Sequence, residues 1–340
     1  RRRPPPRTVT ALTLAAATSL TLGLTACSGA DSASADNGGI RIVASTSTWG
    51  DIAQQVVDDA AADPADGDTS DITVDTILSG TDDDPHEYEA TARDIATIRD
   101  ADIVVGNGAG YDNWLTDNAG DDSEVITAAP LGEDHDHDEH TQDATASDDA
   151  DADASDASDD GHDHGSGILE GEDNPHVWFD MDLVADFADD LAAHLNDLDE
   201  SFPAEATGVR EMTDEFTTRI AELPHAHVVL TEPVAGLLLK GSEIHDVTPE
   251  SFARTVLNEG EPSVADLAAT RDLVADGEAD ALITNTQSES QASRQLTDAA
   301  EDNDVPVVNV TETPGTSGGS QQDYADYVDA VITDLEDALS

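Results

Sequence analysis

The 340 residues carry 13 Lys and Arg against 76 Asp and Glu, a formal charge of −63 with histidine neutral. Such an excess excludes a protein that tracks a nucleic-acid phosphate backbone, because that binding rests on cations neutralising phosphates. A hydrophobic share of 38% with 24 glycines still supports a packed core. Concentrated salt screens self-repulsion over short distances. We therefore read the acidity as a halophile-type solubility device; a metal-attracting surface is the rival reading, and the two are compatible.

The chain opens with four arginines within Arg1 to Arg7, followed by Thr8 to Ala26, which carry no charge. A basic start and an apolar middle make residues 1–26 a secretion signal. The single cysteine, Cys27, can close no intramolecular disulfide and supplies no paired-cysteine metal knuckle. Leu24-Thr25-Ala26-Cys27 resembles the lipobox of bacterial lipoproteins, which implies that Cys27 is diacylated and becomes the mature N-terminus, with residues 27–39 as its tether. A transmembrane anchor is the alternative, but the threonines in the uncharged stretch disfavour insertion.

From Ile40 the pattern alternates short β-branched runs with amphipathic helical stretches. The runs start at Ile40 (IRIVAST), Ile72 (ITVDTIL), Asp102 (DIVVGNG) and Glu124 (EVIT). Between the first two, Ile52, Ala53, Val56, Val57 and Ala60 recur at helical spacing. Residues 133–164 interrupt this with 14 acidic residues, five histidines and no basic residue, a composition that cannot fold alone. Helical stretches then span Met181 to Leu198 and Phe202 to Leu223. Strand-like runs follow at His227 (HVVLTEP), Glu243 (EIHDV), Ala281 (ALITNT) and Val305 (VPVVNVTE), and Ser263 with Asp266 marks a helix start. Strand and helix alternation argues for parallel sheets covered by helices, in two α/β lobes.

Nucleotide-binding loops, GxSxG elbows and HExxH helices are absent, so neither a P-loop enzyme nor an α/β-hydrolase is supported. Three features stand out: DPHEYEAT at Asp84 to Thr91, NPHVWFD at Asn174 to Asp180, and the His/Asp run between them. A proline before each histidine sets an extended or turn entry, which places His86 and His176 on loops beyond strand ends. Neutral imidazoles joined by carboxylates make an affinity site for a borderline divalent metal. A lone histidine is more often an ordinary surface or core residue; the paired motifs shift that balance.

At these motifs the chain resembles the cluster A-I (ZnuA/TroA-like) substrate-binding proteins of zinc and manganese ABC importers, from Gly39 to Ser340. The resemblance implies two similar α/β lobes, residues 40–200 and 224–340, joined by one long helix at 201–223, with the metal in the cleft between them. It implies His86 and His176 as ligands from the first lobe. For the second lobe it implies Glu232, where zinc-branch proteins often have histidine, and Glu312 after the last strand. Zn²⁺ is the expected ion and Mn²⁺ the alternative, because oxygen ligands suit manganese better than imidazoles do. His135, His137, His140, His162 and His164 form the auxiliary metal loop.

His225 and His227 would share a strand face and could bind metal. They begin the strand that Glu232 ends, roughly 17 Å away at about 3.3 Å per residue, so they are not primary ligands. His194 fits a helix surface, His245 a short strand, and Trp114 and Trp178 packing positions. The expectation is a monomeric binding protein and not an enzyme, anchored by Cys27 lipid to the outer face of the cell membrane and delivering metal to an ABC permease. A secreted metallohydrolase and a metal-dependent surface adhesin are the competing classes.

Overall fold

The computed structural model describes residues 39–62, 71–81, 85, 88–129, 174–317 and 320–340. The expected secretion signal, Cys27 and the expected auxiliary metal loop 133–164 lie outside the described residues.

Two four-stranded parallel sheets organise the chain. The first contains β1 (Arg41–Thr46), β2 (Thr73–Leu78), β3 (Ile103–Gly108) and β4 (Glu124–Ala129) in the order β2-β1-β3-β4. The second contains β5 (Ala226–Leu230), β6 (Ile244–Asp246), β7 (Ala281–Thr284) and β8 (Val307–Asn309) in the equivalent order β6-β5-β7-β8. The expected two-lobe α/β architecture is therefore present. Central strands β3 and β7 are buried at every residue, as parallel strands covered on both faces are. Reversal of strand order beside β1 and beside β5 opens a crevice at each sheet's carboxyl edge, where ligands collect in open α/β sheets.

Helix α1 (Ser47–Ala62) buries Ile52, Ala53, Val56, Val57 and Ala60, the residues whose helical spacing marks it in the sequence, together with Trp49. Short helices α2 (Ala92–Arg99) and α3 (Asn113–Thr116) flank β3. Helix α4 (Met181–Leu198) has the expected bounds; the Asp180 side chain caps it by accepting from the amides of Asp182 and Leu183.

Helix α5 (Thr207–Ala221) joins the first sheet's layers to β5 and is shorter than the expected 201–223. Local bonds explain both ends. Asp199 accepts from the amide and hydroxyl of Ser201, which turns the chain, and Pro203 follows. At the other end the amides of Glu222 and Leu223 bond back three residues and tighten the last turn before Pro224.

Helices α6 (Glu250–Leu257), α7 (Val264–Ala275) and α8 (Gln291–Asp302) cover the second sheet, and Ser263 caps α7 through the Asp266 amide as expected. A two-stranded ribbon, β9 (Thr316–Ser317) with β10 (Ser320–Gln321), precedes α9 (Tyr324–Ala338). Helix α9 returns to α1 and α5, burying Tyr324, Tyr327, Val328, Val331, Ile332 and Leu335. One apolar cluster thus runs from Ile42 and Val105 of the first sheet to Val228 and Ile283 of the second. Among the described residues no helix is long and apolar enough to cross a membrane.

Candidate metal centre

His176, Glu232 and Glu312 converge. One potential ligand atom from each lies within 4.8 Å of the others. Tetrahedral coordination at about 2.1 Å sets ligand atoms about 3.4 Å apart, so small inward rotations close the set on an ion. His86, the fourth expected ligand, lies outside the described residues.

Each side chain is delivered by the end of an element. His176 follows Pro175 and opens a single 3₁₀ turn, Val177–Phe179, ahead of α4; it is 2% exposed. Glu232 is two residues beyond β5 and precedes a second 3₁₀ turn, Pro233–Ala235. Glu312 is three residues beyond β8 and 1% exposed. All three stand in the crevice between the sheets.

Hydrogen bonds set the orientation of the imidazole. The Asn174 amide nitrogen donates to the Pro233 carbonyl at 3.0 Å, which turns its oxygen toward His176. That oxygen accepts from the His176 backbone amide at 3.0 Å and lies 2.7 Å from Nδ1. Nδ1 is therefore the protonated nitrogen, leaving the lone pair on Nε2, the tautomer a metal ligand needs. Trp178 packs edge-on to the ring at 5.2 Å between centroids.

Neutral donors hold the carboxylates. Glu312 accepts from the Tyr111 hydroxyl at 2.7 Å, Ser288 at 2.7 Å and Asn285 Nδ2 at 3.0 Å. The same Asn285 nitrogen donates to Glu232 at 2.9 Å. Gln287 Oε1 accepts from the backbone amides of Glu312 and Thr313 and pins that loop. Two carboxylates brought so close repel each other, and a cation between them relieves that repulsion.

Tyr111 is itself positioned by a buried carboxylate. Asp112 accepts from the backbone amides of Asn107 and Gly108 at 2.7 and 2.9 Å. Its burial pushes its pKa upward despite those donors. Gly108 has φ +75°, and a Cβ there would lie 2.1 Å from the Ala129 carbonyl oxygen, so only glycine fits this turn.

The PH motif marks His176 in the sequence, and the family resemblance implies Glu232 and Glu312. Asn174, Tyr111, Asn285, Gln287 and Ser288 are not evident there as site residues. Their one common signal is a polar residue on a loop just past a strand's carboxyl end, or in the NPH motif itself. His194 lies on α4 and His245 in β6, as their local patterns suggest.

Residues 42–338 match the family described as zinc-uptake complex component A, periplasmic. The chain belongs to this family. A zinc-binding lipoprotein, AdcA, of Streptococcus pneumoniae is 28% identical over 163 residues, which is 46% of this chain and 29% of that protein. A manganese-binding lipoprotein, MntA, of Halalkalibacterium halodurans is 30% identical over 123 residues, 34% of this chain and 37% of that protein. The chain thus spans about a third of the length of these curated relatives.

Among solved structures, a periplasmic metal binding protein from Candidatus Liberibacter asiaticus superposes with a TM-score of 0.56 at 17% identity. The match covers 88% of this chain and 100% of that one. The laminin binding protein Lmb of Streptococcus agalactiae superposes at 0.58 with 18% identity, covering 89% and 100%. At such identities the likeness concerns the fold, and it is the fold of a zinc-uptake family member.

Proposed function

We propose that this family member captures a divalent transition metal outside the cell and delivers it to an ABC permease, with His86, His176, Glu232 and Glu312 as its ligands. The observation that carries this reading is the convergence of one oriented imidazole and two carboxylates from opposite sheets in a single crevice. Zn²⁺ is the ion proposed. An imidazole whose Nδ1 is locked by Asn174 suits a borderline metal, and Mn²⁺ is the alternative that two carboxylates permit. Four protein ligands would close the coordination shell, whereas a catalytic zinc keeps a position for water; capture without catalysis follows.

In this reading a diacyl group on Cys27 holds the monomer beside the permease. The histidines of residues 133–164 gather metal weakly, because so acidic and apolar-poor a composition supplies little burial to offset the entropy of fixing ligands around an ion. The cleft binds tightly because its ligands are set during folding.

Metal analysis of chain purified without a polyhistidine tag, followed by titration calorimetry in high salt, tests the proposal. Deleting residues 133–164 should leave one tight equivalent of Zn²⁺. Replacing His176 with alanine and Glu312 with glutamine together should remove that equivalent and spare the weak ones. The reverse pattern would overturn the cleft assignment.

A further inference from the structure

A second group of metal-type ligands lies at the other end of the second sheet. His225 immediately precedes β5, His227 is the second residue of that strand, and His245 is the middle residue of β6. Parallel register places His227 directly beside His245, and His225, two residues before His227, shares its face. The ring centroids lie 5.3 Å apart for His225 and His227, 5.0 Å for His225 and His245, and 6.0 Å for His227 and His245. His225 is exposed and the other two are half-buried.

These separations are the ones a shared ion requires. With metal–nitrogen bonds of about 2.1 Å and ring centres about 1.1 Å beyond, three imidazoles around a tetrahedral ion have centroids about 5.2 Å apart. The rings now sit edge-on or tilted toward one another. Turning them to aim one nitrogen each at a common point uses the soft terminal torsion of histidine. Strand pairing has already met the larger cost, which is bringing three imidazoles from two strands together.

We propose that His225, His227 and His245 form a second, surface site for a borderline divalent transition-metal ion. Three imidazoles select Zn²⁺, Ni²⁺ or Cu²⁺ over Mg²⁺ and Ca²⁺, which need oxygen ligands. Three protein ligands leave a fourth position open, so the ion here exchanges with solvent more readily than one in a closed shell. Asp280 lies next to His227 on its other side: its amide donates to the His227 carbonyl at 2.7 Å, and its carboxylate accepts from the His227 amide at 2.8 Å and adds negative charge that favours a cation. Five residues of extended chain separate His227 from Glu232, roughly 17 Å at about 3.3 Å each. The two sites therefore cannot share one ion, and this proposal stands without the cleft reading.

The test uses the intact chain and Zn²⁺, with Mg²⁺ as the control. Diethylpyrocarbonate modification is read at each histidine by peptide mass, which separates this trio from the five histidines of 133–164. Zn²⁺ should protect His225, His227 and His245 with one shared midpoint, and Mg²⁺ should protect none. His227→Gln should raise the Zn²⁺ midpoint at His225 and His245 at least about tenfold, since loss of an outer-shell partner alone costs that much. His225→Asn, at an exposed residue outside the strand, should do the same at His227 and His245 without risk to folding. His176→Ala with Glu312→Gln should leave the midpoint in place. Unprotected rings at saturating Zn²⁺, midpoints indifferent to both single variants, or protection lost with the cleft ligands would each overturn the proposal.

Discussion

Tyr111 donates its hydroxyl hydrogen to Glu312 across the crevice, oxygen to oxygen at 2.7 Å, with both side chains buried. Tyr111 stands on the turn after β3 and Glu312 on the turn after β8, so one bond couples the two sheets at the candidate metal centre. Two further bonds cross nearby: Thr313 Oγ1 donates to the Gly80 carbonyl at 2.8 Å, and Asn174 to the Pro233 carbonyl. The Gly80 contact places the start of the segment leading to His86 against the loop of Glu312. Site geometry and the approach of the lobes are thus set by the same contacts.

Removing the Tyr111 hydroxyl should therefore loosen metal without unfolding the chain. Tyr111→Phe keeps the ring, which packs on Trp178 at 5.3 Å, and deletes only the donor to Glu312. Zn²⁺ affinity should fall about 10- to 100-fold, the usual cost of losing an outer-shell partner. Competition against a fluorescent chelator reads this directly, and an unchanged constant would mean that Glu312 does not ligate.

Gly106 tests the support beneath Tyr111. A Cβ there would lie 2.4 Å from Asp112 Oδ2 and 2.9 Å from Leu115 Cδ2, so Gly106→Ala must push the carboxylate off its backbone amides. The expected cost is about 1–3 kcal/mol, as for other overpacked interiors. It should show as a lower urea midpoint at unchanged slope, accompanied by weaker metal retention. Loss of stability with full metal affinity would detach this turn from the site.

Asp51, on α1, has its carboxyl pushed up from 3.8 to about 6, by burial first and the nearby Asp323 second, although the Tyr324 amide opposes the shift. The folded chain holds this proton more tightly than the unfolded one. Its favourable contribution is complete below about pH 4 and is lost as pH rises through about 6. Asp51→Asn should accordingly raise the Tm at pH near 7.5, and the advantage should vanish toward pH 4. Differential scanning calorimetry of both proteins across that range checks the sign. An advantage that grows on acidification would contradict it.

Under the proposed lipidation of Cys27, Cys27→Ser should release the protein from cells into the medium, because the diacyl group would supply the two chains that stable anchoring needs. Fractionation followed by immunoblotting measures it. Protein that stays with the membrane after the change would favour the transmembrane alternative.

Local pattern alone reveals most of the elements. Ile52, Ala53, Val56, Val57 and Ala60 mark α1, the Ser263–Asp266 pair marks the start of α7, and β-branched runs locate all eight strands of the two sheets. These are properties of periods and caps a few residues long, which a sequence displays directly. The PH motifs expose His176 for the same reason, since proline constrains its immediate neighbours. What lies far apart along the chain was decided only by the tertiary structure. Residues Tyr111 and Glu312 are separated by 201 positions, and no local rule relates them. Asn285 carries no mark of its role until β7 ends beside β5 and β8, where one amide nitrogen reaches both carboxylates. His245 reads as an ordinary short-strand residue until parallel register sets it beside His227. Strand order and register bring these side chains together, because burying both faces of each sheet permits few other arrangements.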